Sequence, residues 1–276
     1  MARPLVTLTT DFGLVDPSVG ICKGVILGIA PDAQIVDISH GITRHAVLEG
    51  AVLLQAALPY FPVGVHIAVV DPEVGTERRP LAILTARGDF LVGPDNGLLI
   101  PAAEALGGVA RCCELAGERY RLTPVSRTFH GRDVFAPAAG HLAAGVAMQE
   151  LGPELDPESL VRLDVPVARI VPGALEAPVV SLDSFGSAQL LAGRADLEKA
   201  LGPLTPGTRI AVEFATAAKG PRRFDATWRQ TYGEAAKGEL IVLADSYGRL
   251  AVAVNQGSAA DRCGLEPGAA TRLTRA

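Results

Sequence analysis

Up to about residue 150, short runs of β-branched residues alternate with longer Ala/Leu-rich segments, the rhythm of an α/β fold with a largely parallel sheet. "LVTLTT" (5–10), "IVDI" (35–38) and "VHIAVV" (65–70) predict strands, and "LAILTA" with "FLVG" predicts a hairpin around Arg87-Gly88-Asp89. Asp16-Pro17 supplies an N-cap and a first-turn proline for a helix through about Ile29, ended by Pro31, and "AVLLQAAL" (51–58) lies in a second helix. After His130, "VFAPAAGHLAAGVAMQELG" keeps helical spacing up to Gly152-Pro153. From 153 to 166 the composition turns to Pro, Glu and Asp without periodicity, which reads as a linker. Beyond it, "PVVSLDSF", "RIAVEFA", "ELIVLAD" and "RLAVAVN" are strand-like runs between Gly/Pro/Lys turns, with one short helix at 194–201. That pattern predicts a small antiparallel sheet or barrel. The expected division is an α/β domain over 1–160 and a β domain over 161–276.

Composition narrows the function classes. A formal net charge of -5 with no block of consecutive basic residues lacks the footprint of phosphate-backbone binding, so no nucleic-acid partner is expected. No apolar stretch approaches the roughly 18 residues of a membrane span, and Met1-Ala-Arg-Pro does not open a secretory signal. A soluble, cytoplasmic protein is the expectation. Cys22, Cys112, Cys113 and Cys263 have no C-x-x-C spacing and read as reduced, structural thiols.

Ligands of open α/β sheets bind beyond the carboxyl ends of the strands, and the residue found there is repeatedly aspartate: Asp11, Asp71 and Asp95, with Asp183 and Asp245 in the second half. Each alone is a good turn former; together they make an acidic rim that repels phosphates and accepts a cation or ribose hydroxyls. No Walker loop, G-x-G-x-x-G, G-x-S-x-G or H-E-x-x-H occurs. A metal held by His40, His45 and His66 is conceivable, but His66 reads as a core histidine within an apolar strand and His45 as a helix-surface residue, so no metal is expected. "VVDPEVGTERR" (69–79) supplies Asp71, Arg78 and Arg79; "RTFHGRDVFAP" (127–137) supplies His130, Arg132 and Asp133. A carboxylate, a guanidinium and an imidazole brought together bind a water, orient it and share its proton. The plainer alternative makes Arg132 and Asp133 helix caps and His130 a loop residue.

The ordered set "TLTTDFG" (7–13), "IVDISHGI" (35–42), "VVDPEVGTERR", "GPDNGLL" (93–99), "FHGRDVFAP" (129–137) and "SYGRLAVAVNQGSA" (246–259) resembles the S-adenosyl-L-methionine (SAM) hydroxide adenosyltransferases, or SAM hydrolases, relatives of the SAM-dependent fluorinase and chlorinase. The resemblance implies an N-terminal Rossmann-like α/β domain and a C-terminal antiparallel β-barrel-like domain. It implies a homotrimer with active sites between the N-terminal domain of one subunit and the C-terminal domain of the next, and conversion of SAM and water to adenosine and L-methionine without added cofactor. Residue by residue, Asp71, Arg78 and His130 match the family's water-activating set, and Asp11 matches the ribose-hydroxyl acceptor. Asp16, Ser18, Asp183 and Ser246 match the methionine end, Phe185 the adenine-packing aromatic, and Asn255 with Gln256 the segment reading the adenine edge. Gly131 is expected to leave room for the water and C5′. Two positions depart from the pattern: Ser187 stands where the family usually has asparagine, which would weaken the adenine contact or route it through Gln189, and Tyr247 stands where fluorinases carry arginine. A SAM-dependent halogenase, a non-catalytic SAM or adenosine sensor and a metal-dependent nucleoside hydrolase are the competing readings.

Overall fold

The computed structural model describes residues 3–216 and 219–276, which divide into two compact units, one ending at Asp164 and the other beginning at Val165. In the first, β1 (Leu5–Thr10), β2 (Gln34–Ser39), β3 (Val65–Val69), β4 (Pro80–Thr85), β5 (Phe90–Pro94), β6 (Val109–Glu114) and β7 (Glu154–Leu155) form one sheet in the order β2-β1-β3-β5-β4-β6-β7. The pairs β2–β1, β1–β3 and β3–β5 are parallel, the Rossmann-like part, and the remaining three are antiparallel. The sheet is thus half parallel rather than largely so, because the short turn between β4 and β5 allows only a hairpin.

Both faces of β3 are buried, as parallel strands require. Val65, Ile67 and Val69 pack with Ile26 of α1 (Ser18–Ile29) and with Phe135 and Ala139, beside and within α4 (Ala136–Ala143). Ala68 faces the other way, toward Leu54 of α2 (Val47–Ala57) and Ala102 of α3 (Ile100–Ala105). Pro17, not Asp16, occupies the α1 cap, while Asp16 Oδ1 accepts from the Ser18 amide at 2.8 Å. The helix expected over 134–152 is cut to α4: a π-turn at Gly131–Phe135 precedes it, and Gly145, at φ +90°, follows its end. The stretch expected to be a linker is half built into the first unit, where β7 pairs with β6 and the Val161 amide donates to Asp95 Oδ1 at 2.9 Å.

The second unit contains β8 (Arg169–Val171), β9 (Ala174–Leu182), β10 (Ala188–Gly193), β11 (Arg209–Thr216), β12 (Lys219–Trp228), β13 (Leu240–Ala244), β14 (Arg249–Val254) and β15 (Ala270–Arg275), with α5 (Arg194–Leu201) and α6 (Ala259–Cys263). The order β10-β14-β13-β12-β11-β15-β9, with β9 pairing back to β10, closes a seven-stranded barrel, and β8 lies on β9. Closure leaves the ring itself without a free edge. One pair, β12–β13, is parallel, so the barrel is not wholly antiparallel. Its interior is filled by inward residues such as Leu190, Phe214, Trp228 and Val252. Among the described residues no helix is long and apolar enough to cross a membrane.

Candidate active site

At the carboxyl ends of β1 and β3, the segments following these strands and the loop before α4 surround a cavity of about 120 Å³ lined by Asp11, Phe12, His45, Asp71, Phe129 and His130, among others. Asp71 and Arg78 are the most buried ion pair here, with side chains 5% and 4% exposed. Arg78 Nε stands 3.0 Å from each Asp71 oxygen, Nη2 also donates to Oδ2, and the guanidinium lies 5.3 Å from the centre of the Phe135 ring. The same Nη2 lies 2.9 Å from His130 Nδ1. Arg78 is therefore the centre of the group, bonded to both the carboxylate and the imidazole.

A guanidinium can only donate, so His130 Nδ1 must be the acceptor. Burial and then the neighbouring Arg78 push the His130 pKa below its ordinary 6.5. The neutral ring consequently carries its proton on Nε2, which has no protein partner among the described residues. Arg78 Nη1 is buried and likewise without a partner among them.

Asp11 Oδ2 accepts from the His45 amide at 2.9 Å, leaving its other oxygen uncommitted. His45 sits at φ +66°, in the left-handed region, at the cavity rather than on a helix surface. The three histidines considered as metal ligands stand apart: His40 bonds Thr10 Oγ1 at 2.8 Å, and His66 is fully buried between Thr7 and Asp89. Asp16 lies on the exposed segment before α1, its carboxyl held below the usual range by hydrogen bonds from Ser18. At Gly131 the space a side chain would fill is taken by the Phe12 and Phe129 rings, which meet edge to face at 5.9 Å. Arg132 and Asp133 pair with each other at 2.6 and 2.9 Å, and Asp133 takes the Ser126 amide, so they hold the loop and leave the cavity to His130.

The candidates of the second unit form two groups. Asp183, Phe185 and Ser187 share the β9–β10 turn, where Asp183 Oδ1 accepts from the amides of Phe185 and Ser187 at 2.9 and 2.8 Å. That turn touches the segment after β14 that holds Asn255 and Gln256: the Ala260 amide donates to Gly186 O at 2.9 Å. Ser246 and Tyr247 lie in the β13–β14 turn at the other end of β14, roughly 17 Å away at about 3.4 Å per residue. Gln189 Oε1 is occupied by Ser181 Oγ at 2.7 Å, which makes it a poor substitute for a missing adenine contact. Phe185 is 78% exposed. Phe12, His45, Thr128 and Phe129 also wall the cavity. Phe12 and Phe129 adjoin assigned residues in the quoted motifs, whereas nothing local announces His45.

Comparison with known proteins matches residues 6–152 to the SAM hydroxide adenosyltransferase N-terminal domain and residues 177–272 to the C-terminal domain of the same family. The (R)-S-adenosyl-L-methionine hydrolase of Salinispora tropica is 44% identical, with 98% of each chain aligned. A fluorinase of an Actinoplanes species is more distant, at 28% identity over 99% of this chain and 98% of its own. A crystal structure of an uncharacterised conserved protein from Thermotoga maritima superposes with a TM-score of 0.87 at 31% identity, covering 98% of this chain and 100% of that one.

Proposed function

The chain belongs to the SAM hydroxide adenosyltransferase family, and from that premise we propose that it hydrolyses SAM, in the R configuration at sulfur named for its relative, to adenosine and L-methionine. The observation that carries the proposal is the buried Asp71–Arg78–His130 group beside Asp11 at one small cavity. Water oxygen bonds to ribose C5′, the C5′–S bond breaks, its electron pair goes to sulfur, and one proton leaves the water. Because the substrate's positive charge is discharged on the way, rate comes from aligning the water and taking its proton rather than from a negative pocket.

The tautomer of His130 divides these tasks. Its Nε2–H donates to the water oxygen and orients it, and Asp71, whose oxygens keep lone pairs beyond the Arg78 bonds, accepts the proton. Asp11 takes the ribose 2′ and 3′ hydroxyls. Phe185, Ser187, Asn255 and Gln256 receive the adenine, and Ser246 with Tyr247 receives the methionine end, aided by Asp16 and Ser18; Asp183, whose carboxylate holds the Phe185 turn, falls at the adenine end instead. A separation of one strand length between the Phe185 and Ser246 turns suits an extended ligand. A carboxylate beside the nucleophile repels halide, which favours water over the halogenase reading.

Incubation with each sulfonium epimer in ¹⁸O water checks the proposal. The label should enter adenosine at C5′, from the R epimer, and a stable SAM complex without product would sink it. No metal or cofactor is proposed, so turnover should survive exhaustive chelation. We further propose a homotrimer whose sites combine the first unit of one subunit with the second unit of the next; the exposed aromatics Phe185 and Tyr247 support it. At SAM well below KM, mixed His130→Ala and Phe185→Ala subunits should turn over faster than the mean of the two parent variants, which sites confined to single chains could not do. The four cysteines are buried free thiols, in keeping with the reducing cytoplasm proposed as its compartment.

A further inference from the structure

The segment 71–79 carries both Asp71 and Arg78, and its two ends are held by one turn. At its start, Asn96 Nδ2 donates to Val70 O at 2.9 Å. At its end, the Asp95 amide donates to Arg79 O at 2.9 Å, while Arg79 Nε and Nη2 donate to Asp95 Oδ2 at 2.8 and 2.5 Å. Asp95 and Asn96 are both buried, so each bond replaces one to water and would be costly to leave unmade. Arg79 Nη2 continues to Ser159 O at 2.7 Å, and Asp95 Oδ1 takes the Val161 amide, which ties the turn to the 159–161 strap. Gly97, at φ +88°, closes that junction: a side chain there would meet the Leu163 amide nitrogen at 2.8 Å.

The apex of the segment is tethered too. Gly75 lies at φ +82° so close to the Arg127 carbonyl that a Cβ would overlap its oxygen. Arg127 precedes His130 by three residues on the opposing loop. Three tethers thus set the position of Asp71 and Arg78 relative to His130. Asp11 is held separately, by β1 and the His45 amide.

We propose that the Asp95-Asn96 turn is a clamp for water activation, with Asn96, Asp95 and Arg79 as positioning residues that never touch substrate. This rests on the hydrolase reading given above. Asn96→Asp removes the donor to Val70 O but keeps an acceptor for the Leu98 amide, now at 3.2 Å from Asn96 Oδ1. Arg79→Met removes the pair with Asp95, and Arg79→Lys restores the charge.

The readouts are kcat and KM for SAM, adenosine affinity by calorimetry, and the ¹⁵N shifts of the His130 ring in ligand-free protein. The clamp predicts kcat lower by about 10- to 100-fold, since a misplacement of about 1 Å costs that much. Adenosine affinity should stay within about two-fold, because uniform binding is untouched. His130 Nδ1 should lose its acceptor signature, and Arg79→Lys should recover part of both losses. Unchanged kcat, a parallel loss of adenosine affinity, or an unmoved His130 spectrum overturns the clamp. If Asn96→Asp does not fold, Arg79→Met, at a partly exposed side chain, reads the clamp through the tether at the other end of the segment. Should the parent enzyme fail to hydrolyse SAM, the hydrolase reading falls, while the ligand-free His130 spectra still decide the clamp.

Discussion

Two clusters of the same three residue types stand at opposite ends of β3: His66, Asp89 and Arg87 at its start, Asp71, Arg78 and His130 beyond its finish. In the first the carboxylate is the hub. Asp89 accepts from His66 Nε2 at 3.1 Å and from Arg87 at 2.7 and 2.9 Å, while His66 Nδ1 bonds Thr7 Oγ1 at 2.9 Å. Thr85 Oγ1 and the Gly64 amide complete its shell. In the second the guanidinium is the hub, and two N–H positions remain uncommitted, Arg78 Nη1 and His130 Nε2. In the first cluster both ring nitrogens of His66 and both oxygens of Asp89 are occupied, at fully buried side chains, which leaves neither group free to meet a ligand. The second retains donors beside a cavity. Residue type does not distinguish the two clusters; the donors left uncommitted on His130 and Arg78 and the adjoining cavity do.

The sharpest way to break this contrast is to neutralise each carboxylate. Asp71→Asn should lower kcat for SAM by about 10²- to 10⁴-fold, the range of a lost general base. Asp89→Asn should instead lower unfolding free energy by roughly 3 kcal/mol, as when one member of a buried pair is removed. Its turnover per folded molecule should be unchanged. Denaturant melts and active-site-normalised kinetics on both variants test this; loss of turnover in folded Asp89→Asn would erase the distinction.

A smaller effect separates orientation from proton transfer. Glutamine can place an N–H near the position of His130 Nε2 but cannot serve as a base at neutral pH. His130→Gln should therefore retain most of the activity that His130→Ala loses, a loss of about 10²-fold. Equal loss in both variants would return the proton to the imidazole.

The pH dependence follows from two histidines shifted in the same direction. His130 faces Arg78, Asp71, Arg121 and Asp133, and burial with Arg78 keeps its pKa below 6.5. The acid limb of kcat/KM should accordingly begin below 6.5, where its protonation evicts Arg78 from Nδ1. For His66, burial outweighs the attraction of Asp89 and again lowers the pKa. The unfolded chain then binds a proton at higher pH than the folded one, so the stability from this group is fully present above 6.5 and is lost as pH falls through the folded value. Urea midpoints measured from pH 7.5 to 5 should decline, and the His66→Gln variant should show a shallower decline.

The smallest effect belongs to the exposed aromatic. Phe185→Ala should raise KM several-fold and leave stability within about 0.5 kcal/mol, since an exposed ring contributes little to the folded unit. A clear fall in melting temperature would mean that Phe185 is a packing residue.

Elements with clean periodicity were legible in the sequence: "LVTLTT" is β1, the hairpin around Gly88 is β4–β5, and 194–201 is α5. The strands that escaped notice have polar outward positions. β12, "KGPRRFDATW", carries Arg223 and Asp225 outward and alternates with Ala226 and Trp228 inward or across the strand, too weak a pattern in isolation. β15 likewise interleaves Thr271 and Leu273 with two arginines. β10 declares itself through neighbours, since it seals the barrel by pairing with both β9 and β14.

What the residue order decided was the family, through ordered motifs that are local features of the chain, and the same motifs put forward Asp71, Arg78 and His130 as candidates. What only the folded chain decided was how those groups are wired. Arg78 bridges residues 52 positions apart, Asn96 reaches back to Val70, and Gly75 rests against Arg127. A hydrogen bond depends on distances of a few tenths of an ångström between atoms far apart in sequence. No periodicity encodes that; the packing of β3, β5 and α4 does.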